Sequence, residues 1–253
     1  MSRFPPVDLH AHVDPAISAD DLDDLRAVVF AVTRSLDEAA SVVDRTDANV
    51  VWGVGCHPGL AKSHRTFNAA TFEELLRSVP FAGELGLDGS ARVPMDRQQA
   101  TFRTALTVLK NTPRIVSIHS AGATREVLDE LERSTIRGAV LHWWLGDGAD
   151  THRAVDLGCY FSLNIAGVRR SNLLDFIPPD RLLTETDHPF GDKRSKPPQP
   201  GNVENVEAAI ARHHNLQASD VRRLVWRNLS TMVAETKVGG LFPRPVRRLL
   251  AAS

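Results

Sequence analysis

The 253-residue chain is 42% hydrophobic and 24% charged, with a formal charge of −1 and an isoelectric point near 6.8. That balance excludes a disordered chain and a global basic field that would draw in nucleic acid, so any phosphate recognition has to be local. Cys56 and Cys159 are the only cysteines, too few for a disulfide framework or a cysteine-rich zinc site, which makes a reducing cytoplasmic setting the expectation.

The first residues lack a basic segment followed by an apolar one, and no uninterrupted apolar run approaches bilayer length, so no membrane role is expected. Short apolar runs rich in β-branched residues then recur along the chain. In order they are "VDLHAHV" (7–13), "AVVFAV" (27–32), "VVWGVGC" (50–56), "FAGELGLD" (81–88), "IVSIHS" (115–120), "GAVLHWW" (138–144), "YFSLN" (160–164) and "RLLTETD" (181–187). Helical spacing falls between several of them, as in "FEELLRSV" with Thr71 as its start signal and in residues 95–111. Eight strand candidates alternating with helices predict a single-domain α/β chain, a TIM-like (β/α)8 barrel over residues 1–253. A doubly wound sheet is the competing fold, but no Gly-rich phosphate loop follows the first run. Residues 191–202 read as a Pro-rich rim loop, "VENVEAAIARHHN" and "SDVRRLVWRNLSTMVAET" as the last long helices, and about 236–253 as a helical, basic tail.

Side chains two apart on a strand share a face, so Asp8, His10 and His12 are expected to point one way and Val7, Leu9 and Ala11 the other. The His-x-His pair alone does not decide between metal ligands and an incidental polar patch. Glu84 and Asp88 are expected on one face around Gly86, while His119, His142 and Asp187 end the fifth, sixth and eighth runs. In a parallel barrel all of these lie at the carboxyl ends of strands, where barrel enzymes build their sites. Unpaired ionisable groups buried at apolar strand ends cost several kcal/mol each, about what a bound cation removes. Mixed imidazole and carboxylate donors suit zinc or manganese better than calcium. Four histidines and two carboxylates exceed the needs of one tetrahedral ion, and two divalent ions bridged by Glu84 would use them all, giving hydrolytic chemistry.

The segments "DLHAHVD", "GCHPGLA", "GELGLD", "IHS", "LHWW" and "ETDHPF", spread over residues 7–190, together resemble the TatD-type metal-dependent hydrolases of the amidohydrolase-like barrels. The resemblance implies a deoxyribonuclease or phosphodiesterase using two divalent metals (zinc, manganese or magnesium) held by His10, His12, Glu84, His119, His142 and Asp187. It implies that Glu84 is shared between the ions and that Asp187 also orients or deprotonates the attacking water. His57 and Asp88 resemble substrate-contacting or supporting residues of the family. The chain departs from the pattern at Gly59, where a histidine is common, and in the loop after Asp187, where Lys193, Arg194 and Lys196 would supply the same positive charge as the family's usual loop, with Lys193 and Arg194 expected to bind substrate. The segment between the first two strands is also very short. These departures bear on substrate choice more than on metal binding.

The expected substrate is DNA or another single-stranded nucleic acid or nucleotide-bearing molecule. Trp143 and Trp144 are each placed for barrel–helix packing or for stacking a base, and on a strand only one of them reaches substrate. Two alternatives stay open: an amidohydrolase acting on a small substrate, and a non-catalytic metal-binding subunit of a multi-protein assembly, with a protein partner in a bacterial, including antiviral, system expected by fold analogy alone.

Overall fold

The computed structural model describes residues 4–170, 172–191 and 199–253. Eight parallel strands lie in sequential order: β1 (Val7–His12), β2 (Val28–Val32), β3 (Val50–Val54), β4 (Phe81–Gly86), β5 (Ile115–His119), β6 (Ala139–His142), β7 (Tyr160–Leu163) and β8 (Leu182–Thr184). The runs are apolar on both faces because helices cover them outside and side chains fill the barrel inside. Closure comes from backbone bonds at the mouth. Asp187 N donates to the carbonyl of His10 and His12 N donates to that of His188, both at 2.8 Å. The architecture is the predicted (β/α)8 barrel, with every strand but β2 shorter at its carboxyl end than the apolar run that announced it.

Helices such as Met95–Asn111 and Thr124–Ser134 present Phe102, Leu106 and Leu109, and Val127, Leu128 and Leu131, at helical spacing to the core. The helix expected to start at Thr71 runs over Ala69–Leu76, because Asn68 takes the cap position and its side chain accepts from Thr71 N at 3.1 Å. After the long helix Ala218–Thr236 the chain ends in a helix at Arg244–Leu250. Its buried Val246 and Leu250 pack into the core with Phe242, while Arg244, Arg247 and Arg248 face solvent. Among the described residues no helix is long and apolar enough to cross a membrane.

Two strands break the simple alternation. In β1, Asp8 pairs with Val29 but Ala11 with Ala31, so Leu9 and His10 stand opposite Phe30 alone. This bulge puts Asp8 on the face of Ala11, Val29 and Ala31, not on the face of His12 as strict period-two spacing predicts. In β4, Gly83 and Glu84 likewise stand opposite the single residue Ser117.

Displaced to the outer side, Asp8 serves as a fully buried latch. Its carboxylate accepts from Thr186 N (2.8 Å), Thr186 Oγ1 (2.6 Å) and Gly201 N (2.8 Å). Burial pushes its pKa up to about 7 in spite of those three donors. Asp8→Ala leaves two buried amides without their acceptor and is expected to cost about 2–4 kcal/mol. For a chain of this size that is a fall of about 5–15 °C in the thermal midpoint, read by circular dichroism. An unchanged midpoint would remove Asp8 as the tie across the β1–β8 seam.

Candidate active site at the barrel mouth

The carboxylate of Glu84, 1% exposed, is the centre of the mouth. The bulge in β4 is pinned by Thr33, whose N–H donates to Gly83 O and whose carbonyl accepts from Glu84 N, both at 3.0 Å. Gly55 permits that close approach, since a Cβ there would lie 2.3 Å from Glu84 N. At the end of β4, Gly86 has φ +129°, and a Cβ would fall 2.1 Å from the carbonyl of His119. These two glycines let β3, β4 and β5 converge.

Around Glu84 the predicted ligands fall into two sets. Toward Oε2 lie the Nε2 atoms of His12 (3.5 Å) and His10 (3.9 Å), and Asp187 Oδ1 lies 3.6 Å from His10 Nε2 and 3.5 Å from His12 Nε2. Toward Oε1 lie His119 Nδ1 (2.7 Å) and His142 Nε2 (2.9 Å), themselves 3.2 Å apart. His10 and His142 stack with centroids 3.8 Å apart and planes 8° from parallel.

His10 Nδ1 meets Ser117 Oγ at 2.6 Å, and the tautomer that donates there directs a bare Nε2 lone pair at the two carboxylates. Burial, then the neighbouring His142, holds the His10 pKa well below its ordinary value, so this ring is neutral. His10 Nε2 and Glu84 Oε2 are buried with no hydrogen-bond partner. Lone pairs therefore face lone pairs, an arrangement that repels unless a cation sits among them. Ligand atoms about 2.0–2.2 Å from a tetrahedral ion lie about 3.3–3.6 Å apart, close to the 3.5, 3.5, 3.6 and 3.9 Å edges of this group. The donors thus fit a divalent cation. Burial opposes ionisation of Glu84, but the facing His57 and the hydrogen bonds to His119 and His142 carry its pKa well below the carboxylate range.

The supporting residues fix the rings. Gly59 N donates to His57 Nδ1 at 2.9 Å, so His57 carries its proton on Nε2, aimed at Glu84 Oε2 from 3.5 Å. Burial lowers the pKa of His57 and keeps it neutral. Asp88 lies past the end of β4, so strand alternation does not place it. It reaches the mouth from the following loop, 3.4 Å from His119 Nε2, and His119, together with Ser90, draws its pKa far down. Its backbone is held by the buried Gln98, which accepts from Asp88 N (2.8 Å) and donates to Asp88 O (3.0 Å).

Glu185, absent from the predicted set, is fully buried beside it. It accepts from Trp143 N (2.9 Å), Asn164 Nδ2 (3.2 Å) and the Ser162 hydroxyl, and lies 3.9 Å from His142 Nδ1. Its one sequence signal is its place in "ETD", two residues before Asp187. Lys193 and Arg194, predicted to bind substrate, lie outside the described residues. Both tryptophans also lie past the end of their strand. Trp144 is buried, its Nε1 donating to Thr151 Oγ1 at 2.8 Å, whereas Trp143, at φ +40°, lines the cavity.

Residues 7–233 match the family model described as TatD related DNase. The uncharacterized metal-dependent hydrolase YabD of Bacillus subtilis is 25% identical over 87% of this chain and 96% of its own length. The 3'-5' ssDNA/RNA exonuclease TatD of Edwardsiella piscicida is 32% identical over 68% of this chain and 71% of its own. The crystal structure of YJJV, a TatD homologue from Escherichia coli, superposes with a TM-score of 0.79 at 23% identity, covering 91% of this chain and 98% of that one.

Proposed function

Because the chain belongs to the TatD-related DNase family of metal-dependent hydrolases, we propose that it is a phosphodiesterase that cleaves single-stranded DNA or RNA from an end with two divalent ions. The observation that carries this reading is the convergence of His10, His12, Glu84 and Asp187, in which His10 Nε2 and Glu84 Oε2 are buried without a hydrogen-bond partner. His10, His12, Asp187 and Glu84 Oε2 would hold one ion. Glu84 Oε1, His119 and His142 would hold the other. Such ions bring the pKa of a water toward neutrality and offset charge on phosphate oxygens.

The protein's own groups do the rest. Asp187 takes the proton of the water that attacks phosphorus, as the bond to the leaving oxygen breaks. The Nε2–H of His57 donates to a non-bridging phosphate oxygen at the edge of the cavity. Asp88 orients His119, and Glu185 holds the strand end that carries His142. Near-neutral overall charge favours capture of an end or a single strand over tight duplex binding.

Purified protein with manganese or magnesium, offered single-stranded oligonucleotides, simple phosphoesters and cyclic amides, is expected to release nucleotides from the first class. Turnover confined to the amides would replace this reading with the amidohydrolase one, and no turnover on any class would favour a non-catalytic subunit.

A further inference from the structure

Resting on that reading of the site, we propose that Trp143, flanked by Leu145 and Phe190, stacks the base of the terminal nucleotide, so that the preferred substrate is a base-bearing single-stranded end. The cavity of about 250 Å³ joins two unlike surfaces. One is the histidine and carboxylate set. The other is apolar: Trp143, Leu145 and Phe190 line the same space, Leu145 is 37% exposed and Phe190 56% exposed. The volume lies below the range of about 300–1,000 Å³ typical of ligand pockets, which leaves room for one planar group.

The tryptophan is held for this position. A bulky residue at φ +40° occupies a sparsely populated region, and the Glu185 carboxylate fixes it by accepting from Trp143 N at 2.9 Å. The same turn sends Trp144 into the core against Phe161. The Phe190 ring stands edge-on to His12 at 5.2 Å, which ties the apolar wall to the first set of proposed ligands. Exposed aromatic and aliphatic surface facing a cavity is costly in water and favourable against a flat partner. A phosphodiester delivered to Glu84 brings a base within reach of that wall. Inside a duplex both faces of a base are covered, and a terminal base pair is two planar groups where the cavity has room for one, so the wall selects unpaired ends.

Binding of deoxyadenosine 5'-monophosphate and of base-free deoxyribose 5-phosphate, with manganese present, tests this through quenching of tryptophan fluorescence and by calorimetry. The wild type is expected to bind the base-bearing ligand about tenfold or more tightly than the base-free one, within the range that stacking on one aromatic ring contributes. Trp143→Ala should lose that preference together with the quenching, and Trp143→Phe should keep most of the preference. A preference that survives in Trp143→Ala, or a wild type that binds both ligands equally, overturns the proposal. Because the readout is binding of a product-like ligand, failure to cleave oligonucleotides would count against the phosphodiesterase reading without altering this result.

Discussion

Glu84→Gln is expected to lower single-stranded oligonucleotide hydrolysis by at least about a thousandfold, equivalent to about 4 kcal/mol of transition-state stabilisation. The side chain volume is kept, so the core is not hollowed and the far-ultraviolet circular dichroism should not change. What is removed is the charge that five histidines surround. His119 and His142 lie 2.7 and 2.9 Å from Oε1, and His12, His57 and His10 lie 3.5, 3.5 and 3.9 Å from Oε2. An amide presents one oxygen and one NH₂ group, so it cannot act as an anionic acceptor toward both sets. A thermal measurement separates this effect from a fault in folding. Manganese at one hundred times its dissociation constant stabilises a folded protein by about 2.7 kcal/mol, a rise of about 5–10 °C in the midpoint for a chain of this size. The wild type should show that rise and the variant should lose most of it. A Glu84→Gln protein that cleaves at the wild-type rate would mean that the chemistry lies elsewhere.

The barrel was legible because both its signals are local. Apolar runs of strand length and helices with apolar residues three and four apart are properties of adjacent residues, and their alternation leaves few topologies. The convergence of His10, His12, Glu84, His119, His142 and Asp187 followed from one topological fact, that parallel strands all deliver their carboxyl ends to one rim. The orientation of individual side chains was less accessible. Asp8 leaves the face of His12 because of a one-residue bulge in β1, and the bulge depends on what the neighbouring strand offers opposite Leu9 and His10. Asp88 and Glu185 lie beyond their strands, where chain direction is set by Gln98 and by Ser162 and Asn164 from β7 and the residue that follows it, not by any period. Trp143 and Trp144 separate through a left-handed residue that no alternation rule anticipates.

Both bulges fall at proposed ligand positions, His10 in β1 and Glu84 in β4, which links the departure from regular structure to the proposed chemistry. A regular strand sends every second side chain inward at fixed rise. An inserted residue re-aims the next one and increases the local twist. Here that brings His10 Nε2 and Glu84 Oε2 to 3.9 Å, both buried and without a hydrogen-bond partner. The backbone bonds of Thr33 to Gly83 and Glu84 hold the displacement in place. Regular pairing is given up where the site gains from it.

Asp187→Asn is expected to reduce kcat by about a hundred- to ten-thousandfold, the range for loss of a general base, with KM changed by far less. The substitution is unusually clean, because the turn is built from main-chain atoms. Asp187 N donates to His10 O at 2.8 Å, and its carbonyl accepts from Phe190 N at 2.6 Å and Gly191 N at 2.8 Å. Asparagine tolerates the left-handed φ of +48° as well as aspartate does. The barrel seam and the direction of the side chain therefore survive, and only the charge facing His10 and His12 is lost. An amide oxygen still serves as a neutral ligand but does not accept the proton of an attacking water. Retention of a manganese-dependent rise in the thermal midpoint alongside a collapsed kcat would assign Asp187 to proton transfer. Loss of both together would confine it to holding the cation, and a wild-type kcat would remove it from the reaction.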